Sequence, residues 1–226
     1  MEIKKFFLTK NDCYNQQRYI KPKGIVVHST GVNQKKVSVF LNSWNKSGVS
    51  KCVHAFIGVL EDGSIGTVQT LPWTMRCWGV GTGKKGSYNN SHIQFEICED
   101  KLDDKAYFEE VFYLAAWLCA FLCRSYNLKV EDVVSHAEAH KMGYGSNHAD
   151  CDHWLKRFGL SMSDFRNEVK KMMEVQNTVD NMIADGVTTE PNRNSWELFL
   201  FGKAEMNPDF VKTIFDRYHE KMEALK

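Results

Sequence analysis

"KGIVVHST", residues 23–30, is a run of β-branched and apolar residues that follows Pro22. Such a run is typical of a buried strand, because β-branched side chains pack well on a pleated surface and proline or glycine often bounds the element. His28 stands near its end, where a side chain can leave the edge of a sheet and enter a cleft. The segment therefore predicts a strand that carries a candidate site residue.

The rest of the chain predicts further strands and helices around this strand. Residues 52–71 contain two strand patterns joined by Asp62-Gly63, which is a strong hairpin signal. Other segments have helical spacing or a strand pattern: a helix from Val37, a strand at 93–99, a long helix from about Asp104 to Tyr126, a short strand at 131–136 and a helix from Ser163. This mixture predicts an α/β fold, with a central mixed β-sheet flanked by helices.

The sequence predicts that the chain folds into two structural units. Residues 1–174 are predicted to form one domain, because the core pattern continues up to that point and thins out soon afterwards. Residues 175–226 are predicted to form a small helical C-terminal module, with three short helices broken at Gly186–Pro191 and Gly202–Pro208.

The composition excludes several classes of protein. The chain has 226 residues, of which 43% are hydrophobic and 25% charged, and its net charge is +1, so nucleic acid is not an expected partner. The N-terminus has no sustained apolar run, so no signal peptide is expected, and residues 111–123 are expected to form a buried core helix rather than a membrane insertion. Seven cysteines without a disulfide spacing predict reduced thiols in a cytoplasm.

"SNHADCDHW", residues 146–154, concentrates possible metal ligands in nine positions. A catalytic zinc site keeps three protein ligands and one open position, and ligands from outside this short loop are needed to complete one. His28 and His136 are the candidates, since each ends a predicted strand. A lone histidine is more often a hydrogen-bonded structural residue, but two at strand ends beside an acidic loop favour a tetrahedral zinc site.

Five short motifs follow one another along the chain: "GIVVHST", "VHAFIGVLEDGSI", "LPWTMRCWGVG", "NNSHIQFEICE" and "VVSHAEAH" followed by "NHADCDHW". Their order resembles that in the zinc N-acetylmuramoyl-L-alanine amidases, including phage lysozyme-like amidases that share their fold with peptidoglycan recognition proteins. The resemblance covers roughly residues 20 to 160.

The resemblance implies one zinc ion per chain, held by His28, His136 and Asp150. Cys151 stands where the family usually has proline, and it is the alternative third ligand because thiolate also binds zinc well. The other possible ligands of the loop, which are less favoured, are Asp152, His148 and His153. His153 and Trp154 are expected to anchor the loop.

Glu96 matches the strand carboxylate of the family's "IGIE"-type motif, which implies that it acts as the general base. The alternative is a solvated strand residue, since it alternates with Phe95 and Ile97. His148 takes the place where the family often has lysine, so it is expected to polarise the scissile carbonyl and support the oxyanion.

The loop before Glu96 is expected to bind substrate through Trp78, Asn89 and Asn90. Relatives often read Trp-His-Ala-Gly where this chain has "WGVG", so Gly79 replaces a histidine that is not a metal ligand. The segment 83–90 is either a wall of the groove or a plain flexible loop. His54 is expected to be structural.

The activity that the resemblance implies is hydrolysis of the amide between N-acetylmuramic acid and L-alanine of the stem peptide in bacterial peptidoglycan, with zinc activating the attacking water. The alternatives are a non-catalytic peptidoglycan-binding module and a zinc endopeptidase that cuts within the stem peptide. A phage or prophage endolysin is expected, cytoplasmic until release and then acting on the cell wall, although a cytoplasmic recycling amidase would also suit. The C-terminal module is expected to target the wall or to form a homo-oligomer.

Overall fold

The strand predicted at residues 23–30 is present as β2 (Gly24–Asn33) and lies inside a mixed sheet. The structure is a computed structural model that describes residues 2–224, with only the backbone described at Tyr218, Lys221, Met222 and Ala224. It divides this part of the chain into two compact units, Glu2–Val169 and the segment from Lys170 onward.

The six strands of the described residues form one sheet in the order β1-β4-β3-β5-β2-β6. Only β3 and β4 pair antiparallel, while every other neighbouring pair is parallel. The predicted α/β fold with a central mixed sheet is therefore confirmed. The other strands are β1 (Ile3–Lys5), β3 (Ala55–Val59), β4 (Ile65–Gln69), β5 (His92–Glu99) and β6 (Val133–Ser135).

The described residues contain eight α-helices. They are α1 (Asp12–Asn15), α2 (Val37–Trp44), α3 (Lys105–Tyr126), α4 (His136–Met142), α5 (Asp152–Arg157), α6 (Met162–Ala184), α7 (Arg193–Leu200) and α8 (Pro208–Ala224). Short 3-10 turns occur at Tyr88–Asn90, Val130–Asp132 and Glu190–Asn192.

The predicted hairpin joins β3 to β4. Gly63 adopts a φ of 83°, which a residue without a Cβ reaches at low cost, and Leu60 N–H donates to Ser64 O at 2.8 Å across the turn. Strand β1 was not predicted. It is three residues long, lies at the edge of the sheet and carries two lysines, so it lacks the apolar run that marks a strand in sequence.

Helix α3 is the predicted long core helix. Asp104 caps it by accepting from the Tyr107 N–H, and Asn127 ends it in the left-handed conformation. By length and composition alone this helix could cross a membrane, but 67% of its most apolar 18-residue stretch is buried inside the structure. Such burial is typical of the core helix of a globular protein.

A cluster of aromatic rings fills the core on one side of the sheet. Phe56 on β3 is completely buried, stacks on Phe40 at a centroid distance of 5.3 Å, and meets the edge of Trp44 at 5.0 Å. Both partners lie on α2, so its apolar face holds this helix against the sheet.

The second unit has a small core of its own. Trp196 on α7 is buried with Val179, Val187 and Ile214, and its indole N–H donates to Thr188 Oγ1 at 3.0 Å. The helical stretches expected after residue 175 are present, although the first is the end of the continuous helix α6 and not a separate element. The predicted boundary at 174/175 stays a prediction; the compact units divide between Val169 and Lys170.

We expect a chain ending at Glu174 to fold, because every strand of the sheet lies in Glu2–Val169 and the aromatic core is complete there. A chain ending at Leu160 is the control, since it also removes Phe165, which is buried and meets Phe112 at 5.3 Å, and the buried Val169. Circular dichroism and urea unfolding should show a cooperative transition for the first chain and a much lower midpoint, or none, for the second. An unfolded or aggregated 1–174 chain would contradict the expectation.

Candidate metal centre

Strand pairing brings together three residues that are far apart in sequence. His28 lies on β2, and β2 pairs in parallel with β6, whose last residue Ser135 is in register with Val27. His136 follows directly as the first residue of α4. Asp150 reaches the same place from the loop before α5. His28 thus lies inside β2, which continues to Asn33, and not at the end of its strand as expected. Together with His136 just beyond β6 it supplies two imidazoles, and the loop supplies a carboxylate.

The ligand-type atoms of these three residues converge. His28 Nδ1 lies 2.9 Å from Asp150 Oδ2 and 3.1 Å from His136 Nδ1, and His136 Nδ1 lies 3.3 Å from the same oxygen. Both histidines are buried, whereas Asp150 retains limited exposure. Two imidazole nitrogens and a carboxylate oxygen that face one point form a group that could hold a metal ion.

The environment keeps the Asp150 carboxylate ionised. Burial alone would raise its pKa, but hydrogen bonds with His136 and His28, together with their charges, hold the pKa of this carboxyl well below its usual range. An ionised carboxylate is the form that coordinates a cation.

Cys151, the alternative third ligand, points away from this group. Its side chain is buried, and Sγ lies 3.8 Å from Met162 Sδ in an apolar cavity that Trp154 also lines. Burial raises the pKa of the thiol well above its usual value, which disfavours the thiolate that a metal requires. The structure thus places Asp150, and not Cys151, beside the histidines.

The loop that carries Asp150 is anchored at its C-terminal end, as expected from the sequence. His153 Nε2 lies 3.1 Å from Glu99 Oε1, and this hydrogen bond raises the pKa of the imidazole. Trp154 is buried and meets the edge of Phe108 at a centroid distance of 5.3 Å.

Glu96 lies beside the centre on β5, where it is in register with His28. Its Oε2 atom is buried and has no hydrogen-bond partner among residues 2–224. Burial, and then the charges of Asp150 and Glu99, raise the pKa of Glu96 well above its usual value. The alternative of a solvated strand residue is therefore wrong. A half-buried carboxyl with a raised pKa beside such a centre is suited to proton transfer.

His148 lies over the outer side of the centre. Its ring stacks on His136 at a centroid distance of 4.8 Å, and its Nδ1 is 4.0 Å from Asp150 Oδ1. The side chain is 62% exposed, so one face of the ring remains open to a ligand.

The sequence profile of the N-acetylmuramoyl-L-alanine amidase family matches residues 18–153, which include the three candidate ligands and Glu96. The chain belongs to this family.

Known proteins are similar to much of this chain. Protein Ami of Listeria monocytogenes is 28% identical over 169 residues, which cover 70% of this chain but only 17% of that much longer protein. The structure of PlyL superposes with a TM-score of 0.59 at 23% identity and covers 75% of this chain and 97% of its own. A mutant endolysin from Bacillus subtilis gives a TM-score of 0.57 at 22% identity and covers 75% and 99%. At these identities the two structures support the fold alone.

The residues that were expected to bind substrate differ in their exposure. Trp78 is 40% exposed, with the Arg76 guanidinium 5.1 Å from its ring centre, and Asn90 is exposed and accepts from Arg76 Nε at 2.7 Å. Asn89 is completely buried, and its Oδ1 accepts from the Gly79 N–H at 3.0 Å. The expectation for Asn89 is therefore revised, because its side chain holds the loop and is closed to substrate.

His54 has the structural role that was expected. It is completely buried, its Nε2 donates to Met75 O at 2.7 Å, and its Nδ1 accepts from the Gln94 N–H at 3.0 Å. Burial lowers the pKa of this imidazole to about 4, so it stays neutral.

Two residues of the site were missed in the sequence. Gln94 Oε1 lies 3.1 Å from His28 Nε2, and Ser146 Oγ lies 3.1 Å from His136 Nε2. The signal for Gln94 was its place two residues before Glu96 on the same face of β5. Ser146 had no such signal, since only the folded loop brings it to His136.

Asp150 and Cys151 can be separated by substitution. Asp150→Ala should weaken the affinity for Zn2+ more than ~100-fold. Substitution of a residue that only orients a metal ligand usually costs up to ~100-fold, so a larger loss indicates that a ligand has been removed. Cys151→Ala is the matched control, since it removes the thiol without placing a polar group in the apolar cavity, and it should leave the affinity within a few-fold. Competition with a chromogenic chelator measures both. The reverse pattern would show that the thiol is the ligand.

Proposed function

We propose that this amidase uses one zinc ion per chain to hydrolyse the amide between N-acetylmuramic acid and L-alanine of the stem peptide in bacterial peptidoglycan. The observation that carries the proposal is the convergence of His28 Nδ1, His136 Nδ1 and the Asp150 carboxylate, with Glu96 beside them. A non-catalytic peptidoglycan-binding module has no need of a third ligand or of a buried carboxyl next to the centre.

The donor set fits zinc. Two imidazoles and one carboxylate form a three-ligand set found in catalytic zinc sites, which leave a fourth position open. Ligands at roughly 2.0–2.1 Å from a tetrahedral zinc would lie about 3.3 Å from one another. The separations here are 2.9, 3.1 and 3.3 Å. Magnesium and calcium prefer sites made of oxygen atoms, so they suit this centre less well.

A zinc ion bound to these residues would act as a Lewis acid, polarising the scissile carbonyl and lowering the pKa of the attacking water. Glu96 is the base of the proposed reaction. Its Oε2, which has no hydrogen-bond partner among the described residues, accepts a proton from the water as the water oxygen forms the new bond to the carbonyl carbon. The same carboxyl then returns this proton to the alanine nitrogen as the carbon–nitrogen bond breaks.

The outer residues of the site would bind and orient the substrate. His148 stacks on His136 and is mostly exposed, so we assign it the hydrogen bond to the developing oxyanion. Trp78 and Asn90 remain accessible and are proposed to contact the glycan or the stem peptide.

The proposed biological role is that of a phage or prophage endolysin, stored in the cytoplasm and released to the wall. Three observations support it: the amidase family, a fold shared with the endolysin from Bacillus subtilis, and a second compact unit, for which we propose wall targeting or self-association. All seven cysteines are buried free thiols, as in proteins of a reducing compartment.

Removal of the metal and analysis of the products test the reaction. Purified peptidoglycan treated with the full chain should release a new free amine on L-alanine, which mass analysis identifies. Exhaustive chelation should abolish the release and added Zn2+ should restore it. Full activity at a confirmed metal content of zero would contradict the zinc proposal, and a new amine on another residue of the stem peptide would instead identify an endopeptidase.

Glu96→Gln tests the base. The substitution keeps the size of the side chain but removes its ability to take a proton, so turnover should fall ~100- to 10,000-fold. The zinc content should not change, since Glu96 is not one of the three ligands. Glu109→Gln, at an exposed carboxylate on α3, is the control and should behave as the parent chain. Unchanged turnover in Glu96→Gln would remove this residue from the base role.

A further inference from the structure

Both candidate ligand histidines turn the same ring nitrogen toward the metal centre. Their Nδ1 atoms face each other and Asp150, while their Nε2 atoms point outward to Gln94 Oε1 and Ser146 Oγ. A neutral imidazole carries one N–H and one lone pair. The group that each Nε2 meets therefore decides whether Nδ1 can offer its lone pair to a metal.

The amide of Gln94 has its orientation set by Asn89. Asn89 Oδ1 accepts the backbone N–H groups of Gly79 at 3.0 Å and Val80 at 3.2 Å, so the atom at this position must be an acceptor. Gln94 consequently presents its amide nitrogen to the same oxygen, at 2.9 Å. Its other end, the Oε1 acceptor, is left facing His28 Nε2, which must then carry the hydrogen.

The hydroxyl of Ser146 is oriented in a similar way. Its single hydrogen is donated to the backbone oxygen of Val80 at 3.2 Å, and the Ser146 N–H donates to the same oxygen at 2.9 Å. Only lone pairs remain on Oγ for His136 Nε2, which lies 3.1 Å away. With that hydrogen on Val80 O, a neutral His136 donates from Nε2 and keeps the lone pair on Nδ1.

We propose that the backbone of Gly79–Gly81 sets the tautomer of both ligand histidines, through Asn89 and Gln94 to His28 and through Ser146 to His136. Gln94 and Ser146 are positioning residues in this scheme, since they act on the metal through the imidazoles. The proposal rests on the metal site of the proposed function and assigns these roles to residues of this chain.

Gly79 is part of the same arrangement. A Cβ at this position would lie 2.5 Å from Gln94 Oε1 and 3.0 Å from Val53 Cγ1, so the Gln94 amide occupies the space that a side chain at 79 would need. A side chain at position 79, such as the histidine that the resemblance implies for many relatives, would displace this amide. The φ of Gly79 lies outside the left-handed region, so Gly79→Ala would act through this contact and not through backbone strain.

Nuclear magnetic resonance of the full chain tests the tautomers directly. With 15N-labelled histidine and bound Zn2+, His28 and His136 should each show an Nε2–H proton that exchanges slowly because it is buried and hydrogen-bonded. With 113Cd2+ in place of zinc, the coupling to cadmium should appear at Nδ1 of both rings. Coupling at Nε2 of either ring would overturn the proposal, and this measurement needs no variant that could fail to fold.

Variants test the two paths separately. Gln94→Met should shift or broaden only the His28 N–H signal, and Ser146→Ala only that of His136, and each should weaken zinc affinity ~10- to 100-fold, as for other residues that orient metal ligands. Gly79→Ala should reproduce the effect of Gln94→Met. Ser146→Thr, which keeps the hydroxyl, should recover most of the affinity.

Matched controls lie away from the centre. Gln69→Met removes a buried amide that donates to Leu71 O at 2.8 Å, and Ser43→Ala removes a hydroxyl that donates to Phe40 O at 3.1 Å. Both should leave zinc affinity unchanged. Unchanged affinity in folded Gln94→Met and Ser146→Ala would overturn the proposal. Normal zinc binding through both Nδ1 atoms without amide hydrolysis would overturn the proposed function alone, whereas failure to bind zinc would overturn both.

Discussion

The parallel pairing of β2 with β5 on one side and β6 on the other is the constraint on which the rest of the site depends. It places His28 in register with Glu96 and one residue beyond the end of the pairing with β6, where His136 begins α4. Because neighbouring positions on paired parallel strands point to the same face of a sheet, two imidazoles and the Glu96 carboxyl meet without any contribution from a flexible loop. A slip of one residue in either pair would turn these side chains to the other face.

Burying a polar group lowers the stability of the fold unless the group is hydrogen-bonded, and most of the polar groups around the candidate metal centre are hydrogen-bonded. His28, Gln94 and Asn89 are almost completely buried, and each side chain has hydrogen-bond partners at both of its polar atoms. Such a saturated network is rigid, since moving one member leaves another unpaired. Glu96 Oε2 differs, as a buried oxygen with no partner in the described part of the chain. The desolvated oxygen lies where a proton must be transferred, so this unsatisfied group coincides with the proposed chemistry.

Local sequence patterns predicted the parts of this structure that local physics determines. The strand before His28, the Asp62-Gly63 hairpin and the capped helix α3 were predicted because alternation, turn residues and helical spacing act within a few residues. Edge strand β1 was missed because its pairing with β4, and not its own residues, makes it a strand. Asn89 was expected to bind substrate and is instead buried, and Gln94 and Ser146 were missed. Their roles arise from packing between segments that are distant in sequence.

The choice between Asp150 and Cys151 shows how the core selects a ligand. These consecutive side chains diverge, so one enters the polar centre and the other enters the apolar cavity beside Trp154 and Met162. A thiol is neutral and small enough for that cavity, whereas an aspartate there would lose its charge or remain unpaired at a high cost. The spacing in the sequence could not decide which of the two residues is the ligand, since both side chains can bind zinc. The hydrogen bond from His153 to Glu99 and the burial of Trp154 hold the following helix in place, and the position of Cys151 in the core leaves Asp150 as the residue that faces the histidines.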